Sequence, residues 1–166
     1  EVAVCANLPY YITSPVIMKL LEDRLPIMSI TVMVQKEAAE RLCAQPGTRE
    51  CGAVSAAVQY YAEPEILFEV SRGSFMPAPN VDSAVIQLRI RKEPPVDVHD
   101  EALFFRVIRA AFAQRRKTAV NSISNTLHMS KQQVTDAFEQ AGVRTNSRAE
   151  ALTLPEFAAI VNQLTD

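Results

Sequence analysis

Long apolar runs are missing from this chain of 166 residues. None approaches the ~20 residues that a helix needs to cross a bilayer, and the first residues do not resemble a signal peptide. The chain opens with the letters EVAVCA, without an initiator Met and already within a predicted strand. We therefore expect a globular fragment of a longer protein.

Cysteine and histidine are also scarce. The three cysteines, Cys5, Cys43 and Cys51, form no CxxC pair, and the two histidines, His99 and His128, do not lie at metal-site spacing. We expect reduced thiols, a cytoplasmic protein and no bound metal ion.

Acidic residues are absent from one long segment. Between Ala102 and Lys131 there is no Asp or Glu, although the whole chain has 19 acidic residues and a net charge of -2. The basic residues of the segment are Arg106, Arg109, Arg115, Arg116, Lys117 and Lys131. Local charge, rather than the pI, is therefore the guide to binding partners.

The apolar pattern predicts alternating strands and helices in the first part of the chain. The predicted strands are Val2–Ala6 and Ile27–Gln35, both buried on two faces, then Glu65–Ser71 and Ser83–Arg91. The first predicted helix has Ser14 as its N-cap and runs to about Asp23. The second is Lys36–Ala44, and the third is Val54–Ala62, for which a strand is the alternative. This order favours a largely parallel sheet with an antiparallel last strand, and hence a mixed sheet.

A charged, proline-bearing linker follows at residues 93–100, and the pattern then becomes helical. Apolar residues recur at helical spacing from residue 103 to 127. Ser130 with Gln133, and Thr153 with Glu156, have the spacing of capping boxes. The predicted fold class is therefore α/β plus all-α, with an α/β domain over residues 1–92 and a small helical domain over residues 101–166.

The junction between the first strand and the first helix reads Asn-Leu-Pro-Tyr, residues 7–10. Asn-x-Pro is common turn chemistry, which is the plain interpretation. Its position favours a binding site, because ligands of open α/β sheets bind beyond the carboxyl ends of the strands. Pro9 biases Leu8 towards an extended conformation, so the Leu8 carbonyl can act as a fixed acceptor beside the Asn7 amide. Two acceptors near the flat ring of Tyr10 suit a planar group that carries an amino nitrogen.

The exocyclic amine of adenine is such a group. Two acceptors on its protons can localise its lone pair for attack on a sulfonium methyl group, a displacement dominated by positioning. A second candidate is the proline-rich loop SFMPAPNVDSAV, residues 74–85, which otherwise reads as a stiff loop before a strand. Beside a base held by residues 7–10, Phe75 is a candidate for the opposite wall.

Five stretches together make the chain resemble the ribosomal RNA adenine-N6,N6-dimethyltransferases, which methylate two adjacent adenines near the 3′ end of small-subunit RNA. They are NLPYYITSP, QKEAAERL, QYYAEPEILFEV, FMPAPNVDSAV and FAQRRKTAVNSI. The resemblance implies that residues 1–92 are the second half of a Rossmann-like methyltransferase domain, from its fourth strand onwards. It implies an RNA-binding role for the helical domain, and a function in ribosome maturation.

By the same resemblance, S-adenosylmethionine is the methyl donor. Asn7 would lie between cofactor and adenine, Leu8 and Pro9 would complete the catalytic motif, and Tyr10 and Phe75 would stack on the target base. The implied RNA contacts are Arg106, Arg109, Arg115, Arg116 and Lys117, for which the alternative is the solvated face of a helix.

Glycine is too rare for one part of that family's pattern. The glycine-rich cofactor loop has no counterpart, because the glycines, Gly47, Gly52, Gly73 and Gly142, never lie within four residues of each other. We therefore expect that this chain alone neither holds S-adenosylmethionine well nor methylates RNA. We also expect the first strand to lack a sheet neighbour, which leaves an edge prone to self-association.

Other functions fit parts of the pattern. A non-catalytic RNA-binding or ribosome-assembly module is one, although the joint presence of Asn7, Tyr10 and Phe75 argues against it. An erythromycin-resistance methyltransferase, which acts on large-subunit RNA, is another. The stretch RAEALTLPEFAAI, residues 148–160, favours the small-subunit enzymes. DNA adenine methyltransferases share only the first motif.

Overall fold

The computed structural model describes residues 1–164, and the chain divides into two compact units. The first comprises residues 1–44 and 58–93, and the second comprises residues 45–57 together with the chain from residue 94 onwards. The sequence placed residues 45–57 in the α/β domain, whereas here they group with the second unit. Gly47 indicates why: at φ +89° it lies so close to Thr153 that a Cβ would be 3.3 Å from Cγ2.

The first unit contains a four-stranded sheet in the order β1-β2-β4-β3. The strands are β1 (Val2–Asn7), β2 (Ile27–Gln35), β3 (Ala62–Val70) and β4 (Ser83–Ile90). The predicted mixed sheet with an antiparallel last strand is confirmed. The expectation of a largely parallel sheet was wrong, because β4 inserts between β2 and β3 and only β1 and β2 pair in parallel.

Burial within the sheet differs from the prediction for β1 and β2. In the part of the chain that the structure describes, β1 is an edge strand, and Val2 is 54% exposed. In β2, one face is buried through Ile30, Val32 and Val34, while Thr31 stays partly exposed. Neither strand is therefore buried on both faces. An apolar run shows that a strand is suited to a core, but it does not show whether one face of the strand or both are covered.

Helices α1 (Thr13–Glu22) and α2 (Lys36–Cys43) belong to the first unit, and α3 (Ala53–Tyr61) crosses the boundary between the two units after residue 57. The predicted N-cap at Ser14 is wrong, because a 3-10 turn over Tyr10–Ile12 leads directly into α1 and puts Ile12 at the N-cap position. The helical interpretation of residues 54–62 is confirmed within one residue. The following strand begins at Ala62, earlier than the predicted Glu65.

The second unit is helical after residue 100. Its helices are α4 (Glu101–Phe112), α5 (Ala119–Leu127), α6 (Lys131–Gln140) and α7 (Leu154–Leu164). Phe104, Phe138 and Phe157 are fully buried in its core, and burying such large apolar side chains is the main favourable contribution to folding. No helix among residues 1–164 is long and apolar enough to span a membrane.

Both predicted helix starts in the second unit are present. The Thr153 hydroxyl accepts the N–H of Glu156 at 3.3 Å while the Glu156 carboxylate accepts the N–H of Thr153 at 3.0 Å, a reciprocal capping box. The Ser130 hydroxyl accepts the N–H of Gln133 at 3.1 Å. Helix α6 ends at Gln140, and Gly142 follows it in the left-handed conformation that is common just after a helix.

The three cysteines are free thiols in different surroundings. Cys5 is exposed on β1, whereas burial raises the pKa of Cys43 and of Cys51 to about 11. Because the neutral thiol is favoured, these two side chains are poor nucleophiles near neutral pH.

Candidate functional site

A cavity of about 400 Å³ opens at the carboxyl end of β1. It is lined by Asn7, Leu8, Pro9, Tyr10, Met33, Phe75, Pro77 and Pro79. All eight residues belong to the first unit. The structure thus brings the Asn-Leu-Pro-Tyr segment and Phe75 to one cavity, although more than sixty residues separate them in the sequence.

The segment after β1 is held by hydrogen bonds to a single carbonyl. The Pro9 carbonyl accepts the N–H of Ile12 at 3.1 Å and the hydroxyl of Thr13 at 3.3 Å. Thr13 is almost completely buried, and a buried hydroxyl needs such a partner. The turn is therefore fixed by Pro9, and the acceptors of Asn7 and Leu8 are not needed to close it.

Asn7 is the last residue of β1, and its side chain is exposed at the cavity. No hydrogen bond to any of residues 1–164 engages its amide. An amide carries both an acceptor oxygen and two donor protons. In open α/β sheets, ligands bind beyond the carboxyl ends of parallel strands, and the Asn7 amide lies at such an end.

Tyr10 is anchored at its far end. Its hydroxyl lies 2.8 Å from the hydroxyl of Ser83, the fully buried first residue of β4. The residue is nevertheless 38% exposed, so its ring is both accessible and restrained. The sequence analysis did not identify Ser83 as part of the site. Its position as a polar residue at the start of a predicted apolar strand could have indicated such a role.

The loop that carries Phe75 is braced across its base. The Asp82 carboxylate accepts the N–H of Arg72 at 2.9 Å, and the Arg72 guanidinium donates to the Asn80 carbonyl at 3.3 Å. These bonds join the two ends of the loop, so the half-buried Phe75 sits on a restrained backbone. Arg72 and Asp82 were also missed by sequence reasoning.

The cavity lining carries no charged side chain. Only Asn7 and Tyr10 offer polar side-chain atoms, and the Tyr10 hydroxyl is already bonded to Ser83. The remaining surface is aromatic, proline or aliphatic. Such a surface suits a flat, neutral ring that has one polar edge. Aromatic side chains can stack on any flat ring, and the Asn7 amide can hydrogen-bond to the polar edge.

The predicted basic contacts lie in the second unit and are all exposed. Arg106 and Arg109 lie on α4, and Arg115, Arg116 and Lys117 lie in the connection from α4 to α5. Within the described part of the chain, none of the five forms an ion pair. Other exposed cations do, such as Lys19 with Asp23 at 2.9 Å. The charge of these five residues is thus available to an external anion.

Comparison with known proteins gives a consistent result. The whole chain, residues 1–166, matches the family model for ribosomal RNA adenine dimethylase. Ribosomal RNA small subunit methyltransferase A of Geobacillus sp. (strain WCH70) is 53% identical over 167 aligned positions, covering 99% of this chain and 57% of that protein. The protein of the same name from Oceanobacillus iheyensis is 49% identical, covering 98% of this chain and 56% of that protein. The chain thus spans somewhat more than half the length of these relatives.

Two solved structures share the fold. A dimethyladenosine transferase from Plasmodium falciparum matches with a TM-score of 0.80 and 25% identity, over 96% of this chain and 65% of that one. The 23S rRNA methyltransferase ErmE matches with a TM-score of 0.71 and 24% identity, over 99% of this chain and 65% of that one. The predicted fold class, a mixed methyltransferase-type sheet with a helical part, is confirmed by these matches.

Proposed function

The chain belongs to the ribosomal RNA adenine dimethylase family, and on that premise we propose that it is the target-base and RNA-binding portion of a longer methyltransferase. The substrate is small-subunit ribosomal RNA, and the products are N6,N6-dimethylated adenines at adjacent positions. The reaction belongs to ribosome maturation and takes place in the cytoplasm. S-adenosylmethionine supplies the methyl group when it is bound.

The observation that carries this proposal is the neutral cavity shared by residues 7–10 and Phe75. Tyr10 and Phe75 stack on the two sides of an adenine that has left its helix, as bases must before chemistry on their ring substituents. The Asn7 side-chain oxygen and the Leu8 carbonyl accept the two protons of N6. Gripping both protons localises the nitrogen lone pair, and the restrained Tyr10 keeps that nitrogen in place.

The cofactor is a different matter, because this chain's residues do not form a site for it on their own. S-adenosylmethionine carries an amino acid and a ribose, yet the cavity lining offers one unbonded polar side chain, that of Asn7, and no charge. The glycines are also too dispersed for a glycine-rich loop. We assign Asn7 as the residue that touches both ligands, and we derive no further cofactor contact.

This assignment predicts that the 166-residue chain does not bind the cofactor with useful affinity. Isothermal titration calorimetry with S-adenosylmethionine is expected to show no binding up to millimolar concentrations, since most polar contacts are missing. The intact enzyme serves as the positive control. A micromolar dissociation constant for the chain alone would contradict the assignment.

The second unit provides the grip on RNA. Five exposed cations without carboxylate partners in the described residues suit sequence-independent contact with phosphates, which positions an RNA rather than reads its sequence. They are Arg106, Arg109, Arg115, Arg116 and Lys117. Selection of the modified adenine is then left to the cavity and to the shape of the RNA.

The choice of ribosomal subunit separates this proposal from its alternatives. In a strain lacking the gene, primer extension is expected to show loss of methylation at two adjacent adenines of small-subunit RNA, with large-subunit RNA unchanged. Loss in large-subunit RNA would instead support the erythromycin-resistance type. Unchanged methylation in both RNAs would support a non-catalytic RNA-binding module.

The edge of β1 bears on the behaviour of the chain by itself. In residues 1–164, β1 has one neighbour, and its Val2 side chain is 54% exposed. We propose that an unprotected strand edge of this kind promotes self-association of the isolated chain.

A further inference from the structure

The connection between α4 and α5 contains a turn organised around one glutamine, Gln114. The Gln114 carbonyl accepts the N–H of Lys117 at 3.0 Å, which makes Arg115 and Arg116 the two central residues of a hydrogen-bonded turn. The N–H of Gln114 donates to the hydroxyl of Ser122 at 3.1 Å. Its side-chain oxygen accepts from the amide of Asn125 at 3.1 Å. Both main-chain polar groups and the side-chain oxygen of Gln114 are thus bonded.

The groups that hold Gln114 are themselves fixed in α5. Ser122 is fully buried, and its hydroxyl also donates to the Ala110 carbonyl in α4. The N-cap of α5 is Thr118, whose hydroxyl accepts the N–H of Asn121 at 3.3 Å. The first residue of the turn, Gln114, is therefore hydrogen-bonded to residues of α5. The last residue of the turn, Lys117, directly precedes Thr118, the N-cap of the same helix.

The turn carries three like charges in succession. Arg115, Arg116 and Lys117 are exposed and consecutive, and none forms an ion pair with any of the described residues. Adjacent cations repel one another, so a free peptide gains by spreading them apart. The turn instead holds their backbone in one conformation before any anion arrives, which reduces the ordering cost of binding.

We propose that Gln114, together with Ser122 and Asn125, is a positioning element that presents Arg115, Arg116 and Lys117 as a preformed turn for RNA phosphodiesters. It rests on the RNA-binding role proposed above and adds to it residues that set affinity without carrying charge. Arg115, Arg116 and Lys117 supply the charge, and the Gln114 network supplies the geometry.

The test uses the 166-residue chain and a fluorescein-labelled RNA fragment from the 3′ end of small-subunit RNA. Fluorescence anisotropy measures the affinity over a range of salt concentrations. Asn125→Ala and Gln114→Ala are each expected to weaken binding by about three- to tenfold, the loss typical of one hydrogen bond. Their salt slopes are expected to equal that of the unchanged chain, because no charge is removed. Arg116→Ala, in contrast, is expected to lower the slope by about one.

Two further measurements separate positioning from general destabilisation. The double variant is expected to bind no worse than either single variant, because both break the same bond. Gln132→Ala is a matched control, because it also removes an exposed hydrogen bond of a side-chain amide. In this bond the Gln132 amide donates to the Asp136 carboxylate at 2.7 Å. It is expected to leave RNA affinity unchanged. The thermal midpoints of Asn125→Ala and Gln132→Ala are expected to agree within a few degrees.

Each other outcome has a definite meaning. If Arg116→Ala weakens binding while Asn125→Ala and Gln114→Ala bind like the unchanged chain, the positioning role is wrong and RNA binding stands. A reduced salt slope for the amide variants also overturns the positioning role. If the unchanged chain itself fails to bind the RNA, the RNA-binding function proposed for this unit is wrong.

Discussion

Replacing Asn7 by alanine in the intact enzyme is expected to reduce methyl transfer by at least about a hundredfold. Asn7 ends β1 at the mouth of the cavity, and its amide has no partner within residues 1–164. Removing one preorganised polar group from an active site typically costs roughly 10²–10³ in turnover. Transfer of a radiolabelled methyl group to small-subunit RNA measures the loss, and RNA affinity is expected to stay unchanged.

A matched control for this change is Asn146→Ala. Asn146 is also exposed, but it lies in the second unit and outside the cavity. It is expected to leave turnover within twofold of the unchanged enzyme. Undiminished turnover in Asn7→Ala would remove Asn7 from the chemistry, whereas loss of RNA affinity in parallel with turnover would indicate a general defect.

Reversing two charges, with Arg116→Glu and Lys117→Glu together, is expected to weaken RNA binding by about a hundredfold. Both residues are exposed and unpaired among the described residues, so their charge acts on an external partner. Each charge-assisted contact contributes roughly a factor of ten. The salt dependence is the sharper readout, because two lost phosphate contacts should lower its slope by about two.

Arg144→Glu with Arg148→Glu provides the comparison. This pair changes the net charge by the same amount on the same unit, and both residues are exposed. A smaller effect on affinity and slope is expected. An equal effect from both pairs would show that the overall charge of the unit matters and that residues 115–117 form no specific contact.

The position of the cavity at residues 7–10 could be predicted from the sequence because local chemistry dictates it. A strand that ends in Asn-Leu-Pro places these residues at the carboxyl edge of a sheet whatever the rest of the fold is. Capping boxes are equally local, which is why Thr153 with Glu156 marked the start of α7 correctly. Helix α1 shows the limit of such rules. Ser14 and Pro15 looked like a start, but the turn at Tyr10–Ile12 had already begun the helical conformation.

What the sequence did not provide depends on contacts between distant residues. The hydrogen bond between Tyr10 and Ser83 joins residues 73 positions apart, and nothing in the sequence around either residue predicts this pairing. The edge position of β1 agrees with the expectation that it lacks a sheet neighbour, but the burial of its two faces was overestimated because an apolar run does not reveal what packs against each face. Residues 45–57 group with the second unit, where Gly47 lies close to Thr153, and no local pattern encodes such an approach.

The most direct test is a structure of the intact enzyme with its RNA in which the target adenine is resolved. The quantity to measure is the distance from N6 of that adenine to the side-chain oxygen of Asn7 and to the carbonyl of Leu8. We predict that both distances are within about 3.2 Å, the range of a hydrogen bond, with the base between Tyr10 and Phe75. A target adenine bound elsewhere, with the cavity at residues 7–10 filled by other groups, would contradict the account.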